Sequence, residues 1–431
     1  MKKMICALLA LTMCFGLCAC GGSKVDLPPV PTAEATAEPT APVESEPTAA
    51  PTPEVTPAAE LSAPVIVTVE HTDLEAYDPQ YGETLILSFS YDSPRMFCES
   101  APEAADAVNE HLALMDDAFY TGEDYGEGYG TGYNDMLTLA EENYGFLIES
   151  QIESPTFELS ADRTAEVLRN DGRVLTIRFT DYYYTGGAHG NTNWQCCNYD
   201  ARTGALLKLD DLAADASGFR AFLLARMLEL SENDEYIAMQ IDGFVDPADL
   251  ENTLAALLRD GSWYLDEQGL TVFSDLYEIS SYAAGSVHFD VPYADLEAWL
   301  KPEFMPEEKN GTAAFRILTA ADMTDSGVEI LDMVKTADEG ETYYLVSDGK
   351  AENVQITGVE YAYSYFYETG LHWACSSVDN AAVQLVTLLP EGMPNLRLSY
   401  SDAEGAHVFY LSESGENGAP VLVDDSIEAV G

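Results

Sequence analysis

Three side-chain types within one stretch could together perform covalent chemistry: the Thr185 hydroxyl as nucleophile, the His189 imidazole as base, and a carboxylate such as Asp181 to orient the ring. They fall between Asp181 and Asp200, Asp-Tyr-Tyr-Tyr-Thr-Gly-Gly-Ala-His-Gly-Asn-Thr-Asn-Trp-Gln-Cys-Cys-Asn-Tyr-Asp, where a strand-like run breaks into a glycine-rich loop and resumes. Gly186, Gly187 and Gly190 imply positive φ or close approach by another group. They serve equally well to make a tight loop or bulge inside which His189 hydrogen-bonds. No Gly-x-Ser-x-Gly, phosphate loop, Cys-x-x-Cys or His-x-x-x-His accompanies them. The expectation is therefore a non-catalytic surface with no cofactor and no metal. Its ligand-binding candidates are Tyr184, Thr185 and His189 here, with Tyr277 and Tyr282 further along.

Strands over residues 157–168 and 173–180, joined at Asn170-Asp171-Gly172, must deliver this loop, and a third strand over 194–199 must carry the chain away. Asp200-Ala-Arg-Thr-Gly204 then turns. Helical spacing follows over 217–231 and from Asp246 to Gly261, then a hairpin at 263–265 and 270–273, a strand over 286–291 and a short helix from Pro292. This order of mixed strands and helices points to an α+β domain over 156–302.

Ahead of it, alternating residues at 64–70 and 84–91 read as a hairpin, and helices over 101–118 and 134–149 complete a smaller α+β domain over 62–155. The loop at 121–133 carries Tyr125, Tyr129 and Tyr133 among glycines and acids, suited to mobility or to stacking. Behind it, residues 303–431 read as strands separated by short turns, a β-rich sandwich or meander. One of these strands spans 353–367 and places Tyr361, Tyr363, Tyr365 and Tyr367 on one face.

The chain opens with Lys2-Lys3, an apolar run over 4–17, and Leu17-Cys-Ala-Cys20 before Gly21-Gly22. This pattern predicts a signal peptide over 1–19 with lipid attachment at Cys20, and hence anchoring on the extracellular face of the cytoplasmic membrane. Residues 20–61 are dominated by Pro, Thr, Ala and Glu and predict an extended tether. A formal net charge of −56 argues against nucleic acid as a partner and suits basic proteins or neutral glycans. Cys98, Cys196, Cys197 and Cys375 remain beyond the leader; an exported location permits disulfides, with three pairings open. Adjacent Cys196 and Cys197 are expected on opposite faces of a strand.

Tyr-Tyr-Thr-Gly-Gly-Ala-His-Gly over 183–190, Asp-Ala-Arg-Thr-Gly-Ala-Leu-Leu-Lys-Leu-Asp-Asp-Leu over 200–212, the segment 264–270, Tyr277-Glu-Ile and Tyr282-Ala-Ala-Gly together resemble a bacterial extracellular domain of unknown function. That domain is shared by the lysozyme-sensing RsiV anti-sigma ectodomain and the PdaC peptidoglycan deacetylase, preceded in both by a smaller α+β domain. The resemblance covers residues 62–302 and implies a two-part RsiV-like fold. It also implies wall-associated binding of peptidoglycan or of a basic protein such as lysozyme. Leu276 and Ser281 stand where such proteins commonly carry proline. A wall-active hydrolase using His189 and a structural envelope lipoprotein are the alternatives.

Overall fold

A computed structural model describes residues 59–80, 82–122, 131–150, 158–324, 327–337, 339–362, 365–390, 393–413 and 419–424. The expected signal peptide, Cys20, nearly all of the tether, Tyr125 and Tyr129 of the glycine-rich loop, and Tyr363 lie outside the described residues. Asp78 closes the first turn: its carboxylate accepts the backbone N–H groups of Gln80, Glu83 and Thr84 at 3.2, 3.0 and 3.0 Å. This Asx-type turn joins β1 (Ile66–Tyr77) to β2 (Leu85–Phe97), which pair antiparallel from Ile66↔Phe97 to Tyr77↔Leu85.

Helix α1 (Pro102–Thr121) begins with proline in its first turn and ends at Gly122, whose φ of 81° provides a left-handed cap. Its stripe of Ala105, Val108, Leu112 and Met115 packs on Val167, Ile177, Phe179 and Tyr199 of the main sheet. Helix α2 (Tyr133–Glu149) buries Met136, Ala140 and Tyr144 in a second cluster with Ile86, Phe89 and Phe119.

Strands β3 (Leu159–Asn170), β4 (Val174–Tyr184) and β5 (Asn191–Asp200) form an antiparallel meander that joins β2 through a parallel pairing of β3. One face of β5 sends Cys197 into the α1 core; the other sends Cys196 against Tyr264 and Phe273. The cysteines thus occupy opposite faces as alternation requires, and all four cysteines of the described residues are buried.

On that second face lies a small sheet of β6 (Trp263–Leu265), β7 (Gly269–Phe273) and β8 (His288–Pro292). Asn198 fastens it: the side-chain amide donates to Trp263 O at 3.1 Å, while its oxygen accepts from Leu265 N at 3.0 Å and Thr176 Oγ1 at 2.9 Å. Helices α3 (Ala216–Asn233), α4 (Glu235–Ile241), α5 (Leu250–Leu257) and α6 (Tyr293–Leu296) surround a core that includes Phe219, Met227, Leu254, Trp263 and Phe289. Helix α5 is shorter than the pattern from Asp246 suggests. Asp246 instead accepts from Ala248 N in a local turn, which competes with helix propagation.

The remaining strands are β9 (Ala314–Thr319), β10 (Ile330–Lys335), β11 (Glu341–Asp348), β12 (Lys350–Ala362), β13 (Tyr365–Asp379), β14 (Ala382–Thr387), β15 (Leu396–Asp402), β16 (Gly405–Glu413) and β17 (Pro420–Asp424), with α7 (Ala320–Met323) between the first two. They divide between two sheets. β10-β14-β11-β9 is a separate four-stranded sheet, whereas β12, β13, β15, β16 and β17 continue the main sheet in the order β17-β16-β15-β12-β13-β1-β2-β3-β4-β5. The two sheets enclose a core around Trp373, Leu345, Ile356 and Leu398. The result is α+β, with a large mixed sheet and a β-rich C-terminal region, and the main sheet crosses both the 155/156 and 302/303 positions.

The strand expected over 353–367 is in fact two. Tyr361 pairs with Phe366 and Glu360 with Tyr367, so β12 and β13 run antiparallel, with Tyr361 on the first and Tyr365 and Tyr367 on the second. An unbroken aromatic run satisfies strand propensity on both sides of such a reversal and conceals it.

Candidate functional site

The glycine-rich loop is held by its own polar groups. Tyr184, at the end of β4, turns its hydroxyl back to donate to Gly187 O at 3.1 Å, and Gly186 supplies a φ of 84°. His189 Nδ1 lies 2.7 Å from Gly190 O; a carbonyl can only accept, so Nδ1 carries the proton. The Tyr282 hydroxyl donates to the same carbonyl at 3.0 Å, and its ring stacks on His189 with centroids 3.9 Å apart and planes at 23°. Tyr277 continues the series, its ring 5.7 Å from that of Tyr282.

Three of the five residues singled out from sequence therefore meet. His189, Tyr282 and Tyr277 form one aromatic row, Tyr184 braces the loop instead, and Thr185 stands exposed on it. Asp181 does not orient His189. It is 1 % exposed and grips Arg163 through two bonds, Nε to Oδ1 at 2.6 Å and a terminal guanidinium nitrogen to Oδ2 at 2.7 Å. Alternation along β4 aims it into the sheet interior, where Arg163 also lies over the Phe119 ring at 4.4 Å.

Tyr277 is 52 % exposed and has a φ of 64°, a left-handed conformation that a bulky side chain rarely adopts. The residues on either side of it are tied down. Arg259 donates to Glu278 at 2.6 and 2.9 Å and to Asp275 at 3.0 Å, while Asp275 N donates to Glu278 at 3.0 Å. The Glu278 bond raises the Arg259 pKa, and burial raises that of Asp275 against the opposing pull of Arg259. This clamp was not legible in the sequence, because Arg259 is remote from the acidic pair and no spacing connects them. On the far side, Gln240 Nε2 donates to Ala284 O at 2.8 Å and steadies the turn carrying Tyr282.

Beside the row, Thr192, Trp194, Ser274, Leu276 and His288 line a recess of about 130 Å³. Trp194 meets His288 edge-on, centroids 4.8 Å apart, and burial lowers the His288 pKa. Among the described residues no group of three or more His, Cys, Asp or Glu side chains is arranged to hold a metal ion. No described helix is long and apolar enough to cross a membrane.

Residues 81–192 match the family described as Deacetylase PdaC, and residues 230–294 match the family described as Protein of unknown function (DUF3298). The chain is 23 % identical over 197 residues to the peptidoglycan-N-acetylmuramic acid deacetylase PdaC of Bacillus subtilis, a match covering 43 % of this chain and 41 % of that protein. The chain thus spans about two fifths of that curated relative's length. Two solved structures are also similar. A DUF3298 family member from Bacteroides fragilis has a TM-score of 0.40 at 19 % identity, covering 55 % of this chain and 94 % of its own. A DUF3298 family protein from Pseudomonas aeruginosa has a TM-score of 0.35 at 20 % identity, covering 56 % and 97 %. Along the chain the match to the PdaC family precedes the match to the family of unknown function.

Proposed function

We propose that this protein is a lipid-anchored extracellular recognition protein, held at Cys20, that binds a cell-wall glycan or a basic protein such as lysozyme without chemically changing it. The observation that carries this reading is Tyr277. A non-glycine residue at positive φ costs on the order of 1–3 kcal/mol, so a clamp that keeps an exposed tyrosine there suits a presented contact residue rather than a packing one. Tyr282 and His189 back its ring, fixing an aromatic edge with little side-chain entropy left to lose on binding.

Both ligand classes have support. The PdaC relative bears a peptidoglycan activity in its name, and aromatic rings suit sugar faces. The formal net charge of −56 would draw a basic protein and speed its encounter. The two-part RsiV-like arrangement belongs to the same reading and rests on the order of the motifs.

Calorimetry of the full chain against lysozyme and against peptidoglycan fragments tests this. Affinity of about micromolar or tighter is expected for at least one, falling about tenfold or more in Tyr277→Ala. Failure to bind either would end the proposal. The hydrolase reading draws on the relative's named activity; it is lost if His189→Ala leaves glycan and ester turnover unchanged.

A further inference from the structure

A second open site lies where β3 and β4 face β12, β13 and β15, with a lining distinct from that of the recess beside the aromatic row. The groove measures about 290 Å³. That is near the lower end for small-molecule sites. The side chain of Gln355 spans it from β12, donating to Val167 O on β3 at 2.9 Å, which fixes the separation of the two sets of strands.

Each side carries one ion pair. On β3 and β4, Arg178 donates to Glu166, with Nε at 2.8 Å. On β15 and β13, Arg397 pairs with Glu368. Arg178 is also held in place by rings: its guanidinium lies 4.6 Å from the Trp194 centroid and 5.9 Å from that of Tyr264. Thr357, Thr369 and Ser399 add hydroxyl groups to the lining.

The charges on these four side chains cancel. An anionic ligand would gain two arginines but meet two glutamates, and a cationic one would face the converse. A hydroxyl group both donates and accepts, so a ligand rich in hydroxyls satisfies the spare carboxylate lone pairs and guanidinium hydrogens together without breaking either ion pair. Two arginines in one groove stand out in a chain with 19 basic residues in total.

We infer that this groove is a binding site for a neutral, hydroxyl-rich ligand, a saccharide unit, held between the Arg178–Glu166 and Arg397–Glu368 pairs. The site joins strands of the PdaC-matched segment to strands of the C-terminal region, and so gives the latter a part in recognition. It does not depend on what the aromatic row binds.

The test is NMR and calorimetric titration of the full chain with three probes: the neutral N-acetylglucosamine trimer, its cationic fully de-N-acetylated form, and the anionic galacturonic acid trimer. The neutral probe should shift resonances of Gln355, Thr369 and Ser399 and bind at least about tenfold more tightly than either charged probe. Arg397→Ala should weaken that binding about tenfold, Glu368→Gln less, because the amide still bonds a hydroxyl. Both positions are partly exposed and a surface ion pair contributes only about 0–1 kcal/mol, so folding should survive and is checked by an unchanged thermal midpoint. Tyr277→Ala should leave the groove signals unaltered. The inference is overturned if the neutral trimer moves no groove resonance, if a charged probe binds more tightly, or if Tyr277→Ala abolishes binding that Arg397→Ala spares. That last outcome would place the glycan on the aromatic row and leave the proposed function standing.

Discussion

His189 and Tyr282 share one acceptor, the Gly190 carbonyl, while their rings stack 3.9 Å apart. Two loops remote in sequence are thereby fastened at one backbone atom. Tyr282→Phe keeps the ring and removes one donor, so it should cost about 1 kcal/mol. Tyr282→Ala also loses the stack and should cost roughly a further 0.5–1.5 kcal/mol. Urea midpoints measure both; equal losses in the two variants would show that the stack contributes nothing.

Tyr277→Gly should leave stability unchanged or raise it by about 1 kcal/mol, since glycine occupies positive φ without strain while half of the tyrosine ring already faces solvent. Under the proposed function, the same substitution should weaken ligand binding to the extent expected for Tyr277→Ala. A residue whose removal helps the fold and harms recognition is retained for recognition. A clear drop in thermal midpoint for Tyr277→Gly would instead make it a packing residue.

Arg163 and Asp181 form a buried pair, 0 % and 1 % exposed, with Arg163 also donating to Met115 O at 2.9 Å on α1. Arg163→Met should cost about 3–5 kcal/mol, because it strands a carboxylate in the core. The double variant Arg163→Met with Asp181→Leu should recover much of that loss. Denaturant unfolding of the two variants decides it; a single variant as stable as the wild type would mean that water reaches Asp181.

Much of this architecture is legible in residue types and spacing alone. Asn170-Asp171-Gly172 and Asp78-Pro79 announce their turns by residue type, and the spacing of Ala104, Val108, Leu112 and Met115 announces α1, although Ala107, which shares that spacing, is exposed. The sequence singles out His189, Tyr277 and Tyr282 only as separate candidates, since a motif carries residue identity but not convergence. What stayed hidden depends on long-range pairing. Ile66↔Cys375 joins strands at opposite ends of the chain, and no local pattern encodes that register. The Arg259 clamp and the groove between β3 and β12 are invisible for the same reason.

Gly204 should tolerate no larger residue. Its φ is 74°, and a Cβ there would lie 2.4 Å from Ala104 O and 2.9 Å from the Ala107 side chain, both on α1. Neither neighbour is a flexible side-chain end that could swing aside. Gly204→Ala should therefore cost about 2 kcal/mol or more through strain and displacement of α1 together. Loss of less than half that in denaturant midpoint would show that the 200–204 turn moves freely against the helix.

His71 should make stability fall as the solution becomes alkaline. Its Nδ1 lies 2.8 Å from Asp92 Oδ1 and its Nε2 3.1 Å from Asp73 Oδ1, and Asp92 Oδ2 accepts from Ala165 N at 2.9 Å, so the pair ties β1 and β2 to β3. The Asp92 bond, aided by the charges of Asp92 and Asp73 and opposed by burial, raises the His71 pKa from 6.5 to about 9. Asp162 and His372 are the other titrating groups that feel this cluster; burial raises the first and lowers the second. The folded state thus holds the His71 proton more tightly than the unfolded chain does, and the stabilisation is complete below the unfolded pKa. It is lost progressively as pH rises from 6.5 through about 9. His71→Gln removes this contribution, so its stability deficit should be largest near pH 6 and should vanish near about pH 10. Half of the imidazole faces solvent, so the deficit is smaller than a buried pair would give and shrinks further in high salt. Urea midpoints of the two proteins across that range measure it, and a deficit that does not change with pH would assign the effect to packing rather than to the proton.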